Sequence, residues 1–286
     1  MVLSVRPVKG LALPVTLAAL LAAPGCVDII GADLNKYVER DEKHFTVSGK
    51  PDVTLTTFDG SIEIRPWDKA DVQVVIEKRG RDKDDVAAIE VKAEQRGNHV
   101  EISVTEPKRV HEGFNLHFNN RSAKLIVSVP VSSDVVAKSG DGSIDIERVA
   151  GHVQLRSGDG SIRGRMLSGD VEANTGDGSI ALDGKLARVR VHTGDGNVAV
   201  HADPGSSPNA DWDIVTGDGS VTLEVPDGFG AELDAHTGDG GIHMRDVTLS
   251  NVTGNIGKNS LRGRLGDGGR AVRVRTGDGS ITLKKS

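Results

Sequence analysis

The sequence predicts an all-β chain built as one parallel β-solenoid, and three observations support that prediction. The tripeptide Gly-Asp-Gly recurs at a nearly constant spacing, and apolar residues alternate with polar ones on both sides of it. The same residue types also return at the same places: Ser or Thr before the tripeptide, Asp within it and usually Ser after it. Stacked coils place equivalent residues above one another, so such a repeat lines up small and polar side chains in ladders.

The spacing of the tripeptide defines the length of one coil. Its copies begin at Gly140, Gly158, Gly176, Gly194, Gly217, Gly238 and Gly277. The first four are evenly spaced, the later spacings are wider, and the last is close to two periods. One period of the sequence corresponds to one structural repeat, which predicts coils of about 18 residues. A further copy at Gly266 lies much closer to the last one than a full period, so we expect it to form an extra turn inside a coil.

Alternation of apolar residues predicts a strand on each side of the corner. Before the copy at Gly158 the apolar residues Val153 and Leu155 fall at odd positions. After the copy at Gly140 the apolar residues Ile144 and Ile146 fall at even positions. The change of parity predicts a bend, which glycine permits by tolerating positive φ. The alternative is an antiparallel β meander in which Asp-Gly forms tight hairpin turns. Eight solenoid coils, spaced by about 4.8 Å, would form a rod about 40 Å long, with right-handed coiling as the default.

Residues 1–25 have the features of a signal peptide. They contain Arg6 and Lys9 but no acidic residue, and an apolar run from 11 to 23 is broken only by Pro14 and Thr16. Such a run is too short to span a bilayer comfortably, which is typical of a secretory leader.

Cys26, the only cysteine, directly follows this leader. A small residue before a sole cysteine resembles the lipobox of bacterial lipoproteins, in which that cysteine is lipidated. We therefore expect an exported protein anchored to the bacterial envelope through Cys26, in the outer membrane if the host is Gram-negative, and facing the periplasm or the cell surface. The alternative is ordinary cleavage near Ala22 or Ala23, which would leave an incidental free thiol.

The remaining chain divides into three predicted parts. Residues 26–48 are polar and charged and form a tether. Residues 49–134 form a β-rich N-terminal cap that includes a first, degenerate coil at Phe58-Asp59-Gly60-Ser61, and residues 135–286 form the solenoid. Strands are expected at 72–77, 88–93, 99–104 and 123–131, with a surface loop over 107–121.

The balance of charge argues against a nucleic-acid partner. The chain from Cys26 onward has 33 basic and 41 acidic residues, a net charge of −8, because the leader removes two cations and no anion. Both signs are interspersed without a basic stripe.

The repeats resemble a known family, the bacterial β-strand-repeat proteins of unknown function called "putative adhesin". The resemblance rests on the strand at 125–130, the following Ser139-Gly140-Asp141-Gly142-Ser143-Ile144 and the successive Thr-Gly-Asp-Gly copies as far as Leu283. It covers about residues 49–286. It implies a parallel β-solenoid, often with a leader or membrane anchor, and transfers no catalytic residues.

The column of aspartates is the candidate surface site of this sequence. It comprises Asp141, Asp159, Asp177, Asp195, Asp218, Asp239 and Asp278. Carboxylates stacked about 5 Å apart repel one another and need compensation. That compensation could be a ladder of calcium ions, or hydrogen bonds from the backbone N–H groups of each turn.

The most direct functional prediction is a non-enzymatic envelope lipoprotein, an adhesin or scaffold that presents the solenoid surface. We expect no catalytic residues, cofactor or metal, and a partner that is an envelope polysaccharide or protein. The alternatives are a carbohydrate-active enzyme of the parallel β-helix type and a calcium-binding repeat protein. The chain contains no nucleophile elbow, phosphate loop or zinc signature.

Overall fold

The computed structural model describes residues 37–106, 121–254 and 258–286. Within these ranges the chain forms 21 strands and one short helix, α1. The N-terminal elements are β1 (Tyr37–Thr46), β2 (Asp52–Thr57), β3 (Ile62–Trp67), β4 (Asp71–Gly80), α1 (Lys83–Ala87), β5 (Glu90–Arg96), β6 (His99–Thr105) and β7 (Ser122–Pro130). The middle elements are β8 (Asp134–Ser139), β9 (Ile144–Glu147), β10 (Ala150–Arg156), β11 (Ile162–Asn174), β12 (Ile180–Thr193) and β13 (Val198–Ala202). The C-terminal elements are β14 (Trp212–Thr216), β15 (Val221–Val225), β16 (Ala231–Thr237), β17 (Ile242–Arg245), β18 (Leu249–Gly254), β19 (Ser260–Leu265), β20 (Ala271–Thr276) and β21 (Ile281–Lys285).

Consecutive coils stack in parallel and in register. Val153 pairs with Val171, which pairs with Val189, and each step is one repeat of the sequence. On the other side of the corner, Ile162 pairs in parallel with both Ile144 and Ile180. The parallel register confirms the predicted solenoid and excludes the antiparallel meander.

The strands form two rows, one on each side of the Gly-Asp-Gly corner. Row one runs β5–β6–β2–β8–β10–β11–β12–β14–β20–β16–β19–β18, and row two runs β1–β4–β7–β3–β9–β11–β12–β13–β15–β21–β17. β11 and β12 are long enough to belong to both rows. The inward side chains of the two rows share one hydrophobic core.

The order of coils along the rod differs from their order in the chain at both ends. The degenerate coil β2–β3 lies between β6–β7 and β8–β9. The final coil β20–β21 lies between β14–β15 and β16–β17, so Thr276 pairs with both Thr216 and Thr237. The first and last coils of the repeat are therefore interior, and other segments cover them.

Aliphatic columns fill the core, as the alternation predicts. Val171 is 2% exposed, and Leu155, Ala173 and Val191 form the neighbouring buried column. Trp212 also faces inward, is fully buried and makes an edge contact with Phe229 at 5.3 Å between ring centroids. The copy at Gly266 forms a turn between β19 and β20, as expected, with Gly266 and Gly268 at positive φ.

The N-terminal end of the rod contains helix α1, which the sequence analysis missed. Asp82 caps this helix by accepting the N–H of Asp85 at 2.8 Å. The helix buries Val86 and Asp85, and the Asp85 carboxylate pairs with Arg81 at 2.8 Å and with Arg121. Hydrogen bonds from Arg81 and Arg121 hold the pKa of Asp85 well below its usual range. The spacing of Asp82 and Asp85 was the available signal, because an N-cap acid followed by an acid at the third helical position is typical of a helix start.

Candidate functional site

The Gly-Asp-Gly corners stack so closely that their glycines leave no room for a side chain. The N–H of Gly217 donates to the carbonyl oxygen of Gly194 at 2.6 Å, and a Cβ added to Gly217 would also lie 2.6 Å from that oxygen. None of the glycines in the seven predicted corners has a positive φ. The expectation that these glycines supply positive φ was therefore wrong, since contact between neighbouring coils is what requires them.

The residue before each tripeptide joins one coil to the next through its hydroxyl group. The Ser139 hydroxyl donates to the carbonyl of Gly60 at 2.8 Å and accepts the N–H of Gly142 at 3.1 Å. Thr276 does the same with Gly219 at 2.6 Å and Gly279 at 3.2 Å. Hydroxyls also donate to a corner carbonyl of the adjacent coil at Ser157, Thr175, Thr193, Thr216 and Thr237. This ladder pairs corner carbonyl and N–H groups, which lie outside the regular strands, with a side-chain hydroxyl.

The aspartates between the glycines form an exposed column along one edge of the rod. All seven predicted members are exposed, and stacking order places Asp278 between Asp218 and Asp239. In five corners the N–H of the second glycine is bonded to the Ser or Thr hydroxyl. At those corners the second glycine therefore donates its N–H to the hydroxyl, and any compensation of the aspartate by its own turn would come from other N–H groups. Asp59 of the first coil extends the column, and its pKa is raised by partial burial and by the charge of Asp141.

A metal site does not follow from this column. Over residues 37–106, 121–254 and 258–286, no three His, Cys, Asp or Glu side chains are grouped so that they could hold one metal ion. Each coil supplies one carboxylate to the edge, whereas calcium is usually bound by six to eight oxygen atoms.

In one outward column of row two, acidic and basic side chains alternate from coil to coil as far as Lys284, whose further neighbour Arg245 is also basic. Reading across the strands, the outward column contains Glu147, Arg165, Asp183, His201, Glu224 and Lys284. Arg165 contacts Glu147 at 3.2 Å, and Glu224 contacts Lys284 at 2.6 Å and His201 at 3.3 Å. The hydrogen bond from Lys284, together with His201, lowers the pKa of the Glu224 carboxyl.

A shallow open groove of about 500 Å³ lies beside this column. Its floor is formed by the small side chains of Ala181, Ala199 and Thr222, which stack on successive coils. Arg163 and Arg165 lie at one end of the groove and Lys284 at the other. The groove offers polar contacts on a flat surface and does not enclose a ligand.

One outward column of row one alternates in the same way, whereas in the adjacent column Arg156 pairs with Lys138. Its outward column contains Glu172, Arg190, Asp213, Arg273, Asp234 and Arg262 in stacking order. Arg262 contacts Asp234 at 3.2 Å, and Arg156 of the adjacent column contacts Glu172 at 3.1 Å. Stacking places the outward side chain of one coil beside the equivalent side chain of the next coil. Where these two side chains carry opposite charges they attract each other, whereas identical charges would repel.

The predicted lipidation site, Cys26, residues 26–36 of the predicted tether, and all but the last residue of the surface loop predicted over 107–121 lie outside the described residues. Residues 37–46 of the predicted tether form β1, which pairs with β4. Within the described part of the chain, no helix is long and apolar enough to cross a membrane. The predicted lipidation therefore stays a prediction.

Comparison with solved structures gives matches of low identity. A putative cell adhesion protein from Clostridium sporogenes is 14% identical, with a TM-score of 0.38, over 86% of this chain and 100% of the other. A putative adhesin from Bacteroides fragilis is 13% identical, with a TM-score of 0.41, over 86% and 97% of the two chains. A putative lipid binding protein from Parabacteroides distasonis is 16% identical, with a TM-score of 0.35, over 86% and 96%. No curated protein matches the sequence.

A family match supports the resemblance drawn from the repeats. Residues 52–206, just over half of the chain, match the family described as Toastrack DUF4097. This range begins at β2, runs through the stacked coils of β8 to β13 and includes four of the seven Gly-Asp-Gly corners. The chain therefore belongs to the Toastrack family, DUF4097.

Proposed function

We propose that this chain is a non-enzymatic envelope protein whose rod presents its outer faces to a binding partner, as an adhesin or a scaffold. The observation that supports this role most directly is the outward column on each face, in which acidic and basic side chains alternate over several coils. Such faces offer many weak, evenly spaced contacts, which suit binding to an extended or repetitive surface.

Two experiments test this role: an assay for cleavage of polysaccharides and a pull-down of binding partners. The purified mature protein is incubated with a panel of envelope and extracellular polysaccharides, and the products are analysed for cleavage. A glycan and protein pull-down from the native envelope then identifies bound partners. We expect retention of a partner without cleavage, whereas turnover of any polysaccharide would support a carbohydrate-active enzyme and overturn the proposal.

We also propose that the protein is held at the envelope by a lipid on Cys26. The support is the position of this sole cysteine at the end of an apolar leader. Cys26→Ser should abolish lipid labelling and release the protein from the membrane fraction. Normal processing and continued membrane association of this variant would rule out anchoring through Cys26.

A further inference from the structure

We propose that the C-terminal end of the rod is a self-association surface, on which β18 of one copy pairs with β18 of a second copy. The inference does not depend on the proposed function, since it concerns contact between copies of this chain. It rests on three features of this end: a free strand edge, the absence of charge along that edge, and partly exposed apolar side chains beside it.

The free edge belongs to β18. Within the described residues this strand pairs with β19 and with no other strand. Every residue of β18 after Leu249 is exposed, so both faces of the strand are open to solvent. Backbone N–H and C=O groups along an open edge are a template for an added strand.

The opposite end of the rod has protected edges. β1 contains Glu39, Arg40, Asp41, Glu42 and Lys43, and β5 contains Glu90, Lys92, Glu94 and Arg96. Charges on an edge oppose pairing with another strand, and helix α1 adds to the cover at this end. β18, with the sequence Leu-Ser-Asn-Val-Thr-Gly, contains no charged residue and no proline. By charge alone, β18 is the least protected edge among the described strands.

Apolar side chains beside the edge would support the pairing. Val252 is 47% exposed, and Met244, Val247 and Leu249 are only partly buried against the core. The register slips between Ser250 and Thr253, so Asn251 and Val252 form a bulge opposite Gly263. The bulge shortens the regular part of the edge and itself opposes pairing, so we expect a small contact that forms only at high local concentration.

The number of such edges determines the assembly. β17, the last strand of row two, pairs within the described residues only with β21 and carries Arg245. One uncharged edge per copy among the described strands allows antiparallel self-pairing about a two-fold axis, and a two-fold contact closes after two copies. We therefore expect a dimer joined end to end and no longer filament.

The chain offers a matched control for the test. Val131 is 48% exposed, nearly the same as Val252, but it lies after β7 in the N-terminal half of the rod. Val252→Cys and Val131→Cys are introduced separately into the full chain in its native host, and the cells are treated with a short bis-maleimide crosslinker. We expect a covalent dimer from Val252→Cys and no more dimer from Val131→Cys than from the parent chain.

Sedimentation of the purified full chain in detergent then tests stoichiometry. The parent chain and Val131→Lys should dimerise as concentration rises, whereas Val252→Lys should remain a monomer with an unchanged melting temperature. A parent chain that stays monomeric, or two lysine variants that behave alike, would overturn the inference. Particles larger than a dimer would overturn the two-fold arrangement, and capture of an extended peptide by a monomeric parent chain would identify a different occupant of the edge.

Discussion

The assignment of inward columns predicts a large penalty for a charge at Val171. This side chain is 2% exposed and lies between Val153 and Val189. Removing its apolar contacts costs about 1.5–3 kcal/mol. Keeping an introduced carboxyl neutral at pH 7, about three units above its ordinary pKa, costs about 4 kcal/mol more. Val171→Asp should therefore destabilise the fold by about 6 kcal/mol, a loss comparable with the whole stability of many domains.

The pH dependence separates the two parts of this penalty. Burial raises the pKa of the introduced carboxyl in the folded state above its unfolded value. The cost of protonation is therefore absent below about pH 4 and grows as pH rises toward 7. Equilibrium unfolding in denaturant at pH 4 and pH 7 measures both parts. We expect a loss of about 2 kcal/mol at pH 4 and about 6 kcal/mol at pH 7.

Arg190→Gln is the control, because Arg190 is exposed on the neighbouring outward column and losing its attraction to Glu172 and Asp213 should cost no more than about 1 kcal/mol. Arg190→Glu is less suitable, since it would lie between Glu172 and Asp213 on adjacent coils. Each like-charge neighbour at about 4.8 Å would add about 0.9 kcal/mol in water before screening by salt. Equal losses for Val171→Asp and Arg190→Gln would refute the assignment of the columns.

Three further predictions concern the corners and the N-terminal helix. Ser139→Ala leaves the Gly60 carbonyl and the Gly142 N–H without their hydroxyl partner, so it should lower the free energy of unfolding by about 1–3 kcal/mol. Ser139→Thr keeps the hydroxyl and should lose less than the alanine variant; the opposite ranking would contradict the ladder. Gly217→Ala should cost about 1–3 kcal/mol or more through collision with Gly194, with a visibly lower melting temperature. Gly228 has φ +75° and a Cβ added to it would meet no atom within 4 Å, so Gly228→Ala should cost only the backbone strain of about 1–2 kcal/mol. A greater loss of stability for Gly228→Ala than for Gly217→Ala would argue against close contact between coils at Gly217. The lowered pKa of Asp85 means that its stabilisation is present above its unfolded pKa and is lost as pH falls through its folded pKa. Asp85→Asn should flatten the dependence of unfolding free energy on pH below about pH 5, and an unchanged slope would exclude this ion pair as a source of acid sensitivity.

The sequence by itself determined the repeating unit and the composition of the core. Alternation of apolar and polar residues is a local property of a strand. It was sufficient to predict that Val153, Leu155, Ile144 and Ile146 are buried. The recurrence of Ser or Thr before each corner predicted a ladder of small polar residues. The partners of that ladder could not be predicted, because each hydroxyl bonds to a carbonyl on the adjacent coil.

Only the tertiary structure decided which coils are neighbours and why the corners contain glycine. Because the coils have similar sequences, each could stack on any other. The repeat length of the sequence therefore does not specify that Thr276 lies between Thr216 and Thr237. That order follows from the reversal of β18 and β19, which returns the chain through the Gly266 turn to an interior position. The glycine requirement is likewise a contact between coils, since Gly217 must approach a carbonyl oxygen of Gly194 in the preceding coil. Local sequence patterns determine conformation along one coil, whereas packing between coils decides their order and their closest contacts.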